Sequence, residues 1–342
     1  YISRKFRNSK IDTMRKKHFL FASVLALLCG SSTLHAQDFK LTSSGYFKNQ
    51  GVDVMAFDDI YPEGHQGGVC IIMNGHRVAT NGDIRLEATP GQWQPVPKQL
   101  DRKLGDNSIT ATLCYPDSSR HLTGFNPMIY PDLHLIYTVN VESKGKNIEV
   151  TVDLDRPIPQ EFIGKVGFNL EFFPGSLFGK PWIMDGQSGI FPQQPNSPLM
   201  TTQPNYLHTG NYHDGKKSLA DMDKLIGKGY SPIVADDIIS EPYAKGTKFT
   251  SRPDDPYNKV TIESLSGDLQ LFDGRMNHNN GWFVLRSNIK PGVTKGAVKW
   301  IITPNVVADW MYQPVIQTSQ IGYHPTQDKE AVIEMDIRDN RK

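Results

Sequence analysis

Three places in this sequence set carboxylates side by side: Asp58-Asp59, Asp236-Asp237 and Asp254-Asp255. Paired carboxyl groups can cleave a glycosidic bond when they face each other across it, one as proton donor and the other as base or nucleophile. Neighbours on a strand point to opposite faces, so an adjacent pair cannot clasp one bond from both sides. Asp254-Asp255 also stands between Pro253 and Pro256, which is turn chemistry. All three pairs are expected to be structural or solvated. His208 and His213, with Asp214 next, invite a metal, but their spacing is not that of a helical zinc motif, and Thr209-Gly210-Asn211 between them is a turn. Asn277-His278-Asn279-Asn280-Gly281 lacks the twelve-residue spacing and closing Glu of a calcium loop and is expected to be a plain turn. The sequence contains no serine nucleophile elbow, phosphate-binding loop or dinucleotide fingerprint. The motifs therefore imply no catalytic residue, no metal site and no cofactor.

Aromatic side chains are the remaining candidates, because sugar rings stack on exposed Trp and Tyr faces. Trp93, in the loop Pro90-Gly91-Gln92-Trp93-Gln94-Pro95, and Trp182, in a Pro/Gly/Asn-rich region, are possible carbohydrate platforms; packing is the alternative for both. Trp282 and Trp300 lie in strand-like runs and are expected in the core, and Trp310 at a junction between two units. Cys70 and Cys114 are a possible disulfide in an exported chain, or two buried thiols, since each sits in an apolar run.

Residues 1–13 precede Met14 and have the look of upstream translated sequence without a fold. Met14-Arg15-Lys16-Lys17-His18 is a basic start, Phe19 to Leu28 an apolar core too short for a membrane span, and Ala36 a small residue before Gln37. Residues 14–36 are thus expected to be a signal peptide cleaved after Ala36. Lipidation at Cys29 is the rival, with Leu28 standing where a small residue is wanted. Export to the periplasm or the cell surface follows. The formal charge of +1 rests on that leader; without it the balance is about −5, which favours no nucleic-acid partner.

The elements that must position any site are strands. Hydrophobic content of 38% with 21% charged residues is that of a soluble globular protein, and frequent Asn-Gly and Pro-Gly pairs separate short Val/Ile/Phe/Tyr runs. Asn74-Gly75 and Asn81-Gly82 predict turns, each between two strands. Leu133, Leu135, Tyr137, Val139 and Val141 form one face of a strand, and Ile148, Val150, Val152 and Leu154 return after a turn over 143–147. Val166, Phe168, Leu170 and Phe172 continue the alternation. Strands are also predicted at 52–57, 68–73, 260–262, 269–271, 282–285 and 297–302. One helix is expected at 218–226, capped by Ser218 and ended by Gly227.

The end of the chain carries the most specific pattern. Val315 to Gln320 alternate as a strand, Gly322 and Pro325 punctuate, and Ala331 to Met335 resume. Gln320-Ile321-Gly322-Tyr323-His324-Pro325, followed by Lys329-Glu330-Ala331-Val332, resembles the opening of the immunoglobulin-like module that precedes the catalytic barrel in glycoside hydrolase family 9, the cellulase-type enzymes. That resemblance covers about the last thirty residues. Gly67-Gly68-Val69, Asn81-Gly82-Asp83-Ile84-Arg85-Leu86 and Gly281-Trp282-Phe283-Val284-Leu285-Arg286 resemble stretches of the N-terminal regions of some exported family 9 enzymes. There the region is similar to the galactose-mutarotase-like supersandwich. The resemblance implies an all-β chain: a large β-sandwich over 38–303, a junction at 304–314, and the truncated start of an immunoglobulin-like sandwich at 315–342. It also implies a parent enzyme that inverts at O-glycosyl bonds of a polysaccharide such as β-glucan, using residues of a downstream catalytic domain acting in cis. No position of this chain matches those catalytic motifs, and no stable membrane span is expected.

Overall fold

The computed structural model describes residues 38–58, 67–87, 90, 95–123, 130, 133–195, 240–276, 282–336 and 339. In chain order the strands are β1 (Lys40–Leu41), β2 (Phe47–Asn49), β3 (Val52–Ala56), β4 (Val69–Met73), β5 (His76–Leu86), β6 (Lys98–Leu104) and β7 (Ser108–Tyr115). Then come β8 (Leu135–Lys144), β9 (Asn147–Leu154), β10 (Val166–Phe172), β11 (Pro181–Met184), β12 (Gln187–Ile190), β13 (Ala244–Gly246) and β14 (Lys248–Ser251). The last are β15 (Val260–Ser264), β16 (Leu269–Asp273), β17 (Phe283–Asn288), β18 (Val298–Pro304), β19 (Val315–Gln317) and β20 (Val332–Glu334). Two nine-stranded sheets result, ordered β1-β2-β3-β4-β5-β10-β17-β16-β13 and β12-β11-β14-β15-β18-β9-β8-β7-β6. The expected all-β sandwich is what the chain forms, and the helix expected at 218–226 lies outside the described residues.

Alternation decides which side chains fill the space between the sheets. β8 and β9 bury Leu135, Tyr137, Val139 and Val141 against Ile148, Val150, Val152 and Leu154, with Val139 opposite Val152 and Val141 opposite Val150. They meet at a two-residue turn, Gly145-Lys146, tighter than the five residues expected, because the strand pattern runs into the polar ends. From the first sheet Phe168 meets Trp300 of the second edge-to-face at 5.0 Å, and Phe172 meets Phe249 at 5.8 Å. The Trp300 indole N–H, wholly inside, donates to Ser287 Oγ at 3.0 Å. Trp300 thereby takes the core place its sequence context suggested.

Two expectations need correction. Asn74-Gly75 is a hairpin turn with both residues at positive φ, but Asn81-Gly82 is not a turn. Asn81 adopts φ 55° inside the continuous strand β5, where the register with β10 slips between Asn169 and Glu171. A left-handed residue within a paired strand makes a bulge, and the flanking strands continue it. The second correction concerns the possible disulfide. Neither Cys70 nor Cys114 forms a disulfide among the described residues. Cys70 alternates with the core residues Val69 and Ile71 of the first sheet, and Cys114 with Leu113 and Tyr115 of the second, so they occupy opposite outer faces. Packed sheets lie about 10 Å apart, and a bridge needs Cα atoms within about 7 Å.

The two outer faces differ. Along β8 and β9 the outward residues are partly or fully exposed, a solvated face. Along β10 all seven residues are buried, so the centre of the first sheet is covered on both sides. Beyond Pro304 the chain leaves the sandwich, and among the described residues β19 pairs with β20 alone, as a separate two-stranded sheet. All six of its strand residues are exposed, with Ile316 opposite Ile333.

Candidate functional site

The covered outer face of the first sheet holds a concentration of buried charge. β5 supplies Asp83 and Arg85 and, one residue past its end, Glu87; β10 supplies Asn169 and Glu171; β17 supplies Arg286. None exceeds 4% exposure. They alternate with the core residues Ile84, Leu86, Phe168, Leu170 and Leu285, which is why they share the opposite face. The pairing Asn169 with Asp83 on one side and Arg286 on the other aligns the three strands.

Arg286 is the hub. Its Nε donates to Asn288 Oδ1 at 2.7 Å, and Nη1 to Glu87 Oε1 at 3.1 Å and Asn169 Oδ1 at 3.3 Å. Nη2 donates to the backbone oxygens of Glu87 at 3.2 Å and Lys165 at 2.9 Å. The guanidinium lies over β10 at Gly167, where a Cβ would stand 2.7 Å from Arg286 Nε, so only glycine admits it. Asn169 Nδ2 donates to the same Glu87 oxygen at 2.5 Å, and Asn81 Nδ2 to Glu171 Oε2 at 2.6 Å. Two buried acceptors, Glu87 Oε2 and Asn81 Oδ1, have no hydrogen-bond partner among the described residues.

The second sheet reaches this cluster through two phenols. β4 pairs with β5 as far as Gly82 opposite Val69, and no other described strand pairs with the following flank of β5 on that side. Tyr137 of β8 donates to Asp83 Oδ1 at 2.9 Å; Tyr115 of β7 accepts from the Leu86 N–H at 3.1 Å and donates to Pro95 O at 3.0 Å. Asp83 Oδ1 also accepts from the Ile84 N–H at 2.7 Å, and Oδ2 lies 3.6 Å from Arg85 Nη1.

Burial outweighs pairing here. It pushes the Asp83 carboxyl up to about 6 against the pull of Arg85, and the Glu87 carboxyl up to about 7 against Arg286. The same burial holds Arg286 below the usual arginine range and raises both phenols. Three carboxyl groups against two guanidinium groups leave one formal negative charge, and a proton on Glu87 removes it. A carboxyl titrating near neutrality beside a fixed cation is able to donate or accept a proton.

Two other arrangements are structural. Arg275 forms a two-bond fork with Asp273, both at 2.8 Å, stacks 4.6 Å over Phe283, and donates to the carbonyls of Pro192 and Gln193, clamping that segment to β16. A pocket of ≈ 290 Å³ opens on the other sheet's outer face between Lys144, Glu149, Thr151, Leu265 and Lys299. It is remote from the buried cluster, and Lys144 there is already paired with Glu149 at 2.7 Å. Among the described residues no group of three or more His, Cys, Asp or Glu is arranged to hold a metal.

The residues singled out from sequence do not converge. Trp182 is a correction: at 6% exposure it belongs to the core, lying against Gly189 of β12, where a Cβ would stand 2.4 Å from the indole. It offers no face to a sugar. Trp93, His208, His213, Asp236-Asp237 and the 277–281 stretch lie outside the described residues. Asp255 caps a turn, accepting from the Tyr257 N–H at 2.9 Å and from Asn258 and Arg252. Asp58 is exposed, 3.9 Å from Arg102.

The cluster itself escaped sequence reasoning, because Asp83-Ile84-Arg85-Leu86-Glu87 has the pattern of a strand with one wet face. A signal was present. Parts of three stretches singled out from sequence meet here: Gly68 packs against Gly82, a Cβ on either meeting the other strand at 2.6 Å, and β5 and β17 carry Asp83, Arg85 and Arg286.

No protein-family model matches the chain, and no curated protein does. Several solved structures are similar, three of which follow. One is a galactose mutarotase related enzyme from Lactobacillus acidophilus, 9% identical, covering 75% of this chain and 96% of that one, with a TM-score of 0.35. Another is a protein from Synechocystis sp. PCC 6803, 9% identical, covering 78% and 96%, at 0.33. The third is a heparan sulfate lyase from Pedobacter heparinus, 11% identical, at 0.29; the match covers 88% of this chain but only 41% of the lyase. All three are distant, and the roles of the cluster residues stand on their own geometry.

Proposed function

We propose that this chain is the non-catalytic N-terminal part of an exported, cellulase-like glycoside hydrolase, its large sandwich supporting or orienting a catalytic domain that lies beyond an immunoglobulin-like module. The observation that carries this reading is the β19–β20 hairpin. Two strands cannot bury a core alone, and here Ile316 and Ile333 are 70% and 61% exposed on one face. An exposed apolar face of this kind supports the reading, because further strands could pack on it. The carboxylates of the sandwich favour support over hydrolysis: Asp83 and Glu87 are enclosed and tied to arginines, not set across an open cleft. The test is turnover. The purified chain should release no reducing ends from carboxymethyl-cellulose or mixed-linkage β-glucan, and the gene read past Lys342 should encode a helical barrel that does. Hydrolysis by this chain alone would overturn the proposal.

A second reading, a sugar-binding or sugar-active sandwich, is favoured by Glu87 Oε2 and Asn81 Oδ1. Two acceptors without donors among the described residues suit the hydroxyl groups of a sugar. Affinity electrophoresis on cellulose-like, mixed-linkage and xylan polymers tests it. Retardation that disappears in Glu87→Gln would support it, and free migration on all three would end it.

A further inference from the structure

We infer that residues 304–336 form a rigid bracket, in which Trp310 and Tyr312 lock the β19–β20 hairpin to two turns of the first sheet, so that sandwich and hairpin move as one body. The composition of 304–314, with two prolines and no regular strand pattern, would equally suit a flexible linker, and the contacts decide otherwise. Trp310 lies over the β2–β3 turn. Gly51 there has φ +64°, and a Cβ on it would stand 2.6 Å from Trp310 Cε3, so the turn has been left bare where the indole sits. Gln50 Nε2 donates to the Trp310 carbonyl at 2.6 Å. Tyr312 takes the neighbouring β4–β5 turn, where a Cβ on Gly75 would stand 3.3 Å from its ring. The two rings meet edge-to-face at 6.4 Å.

The two turns are themselves joined, the Asn74 N–H donating to Gly51 O at 2.6 Å, and Asn74 Nδ2 ties the β4–β5 turn to Tyr257 O, between β14 and β15, at 2.5 Å. The aromatic pair therefore rests on a fixed floor. At the other end the Tyr312 N–H donates to Asp336 Oδ2 at 2.8 Å, two residues past β20, which ties the far strand of the hairpin back to the anchored segment. Two aromatic anchors on bare glycines, with a hydrogen bond at each end, make a joint and not a tether. If the hydrolase reading holds, this joint sets the attitude of the immunoglobulin-like module and of the catalytic domain attached to it. The inference does not depend on that reading.

Backbone ¹⁵N relaxation on the full chain tests it. The amides of Gln317 and Val332 should share the order parameters and tumbling time of Thr138 and Val150 in the sandwich. Trp310→Ala should drop the hairpin amides below about 0.6 in S² while the sandwich amides hold. Gly51→Ala should do the same by displacing the indole, and Gln50→Ala should give a partial drop. Should Trp310→Ala unfold the sandwich, Tyr312→Ala with Gln50→Ala carries the comparison. A hairpin already tumbling freely in the native chain, or variants that leave its order unchanged, would overturn the bracket and leave the hydrolase reading standing. Turnover by the chain alone would do the reverse.

Discussion

Arg286 directs each of its three nitrogens at an acceptor inside the molecule, and that satisfaction is what lets a guanidinium sit at 1% exposure. Removing one partner of such a pair strands the other. Arg286→Ala should cost about 3–5 kcal/mol in urea unfolding, much of it from Glu87 left alone. Arg286→Met combined with Glu87→Leu should recover most of that loss. The carboxyls predict a pH dependence of defined sign. Glu87 is raised from 4.5 to about 7 and Asp83 from 3.8 to about 6, so the native state holds protons that the unfolded chain has released. Their contribution is complete below about pH 4 and is lost as the pH climbs through 6 and 7. Unfolding free energies from urea titrations should therefore be higher at pH 5 than at pH 8, by an amount on the order of 3 kcal/mol for a shift of this size. Glu87→Gln should flatten the slope.

Among the elements, β5 shows most clearly what a sequence conceals. Asn-Gly dipeptides at 74–75 and 81–82 look alike, yet one closes a hairpin and the other bulges a continuous strand. The difference is tertiary: at Gly82 the β4 strand passes so close that a Cβ would stand 2.6 Å from Val69 Cβ. Gly82→Ala should consequently destabilise by about 1–3 kcal/mol through overpacking, whereas Asn74→Gly in the hairpin turn should change stability by less than about 1 kcal/mol; thermal denaturation of both decides. Strands with one apolar face, such as β8, β9 and β10, were legible from alternation alone. β6 was not, because Lys98 to Leu104 is an exposed edge with no residue fully buried, and an edge strand needs no apolar face. The ionic cluster was illegible for the opposite reason. Alternation marks Asp83, Arg85, Asn169 and Glu171 as outward, and outward ordinarily means solvated; only the whole fold reveals that this face is covered.

At the scale of the molecule, the core is complete within the sandwich. Its fully buried apolar members end at Ile302, with Val306 packed at the margin. Deleting 307–342 should accordingly leave cooperative unfolding intact, with the melting temperature lowered by a few degrees in calorimetry and no collapse. With Cys70 and Cys114 on opposite outer faces, a reductant should not shift that transition at all. The contact made by Tyr115 and Tyr137 has a mechanical side. Each phenol is fixed in one layer and grips the flank of a strand in the other, so sliding the layers by a single residue would pull both oxygens off their partners together. They serve as dowels against shear. Under a force applied along the strands, the native molecule should yield abruptly at one threshold, and a Tyr115→Phe, Tyr137→Phe double variant should creep at lower load.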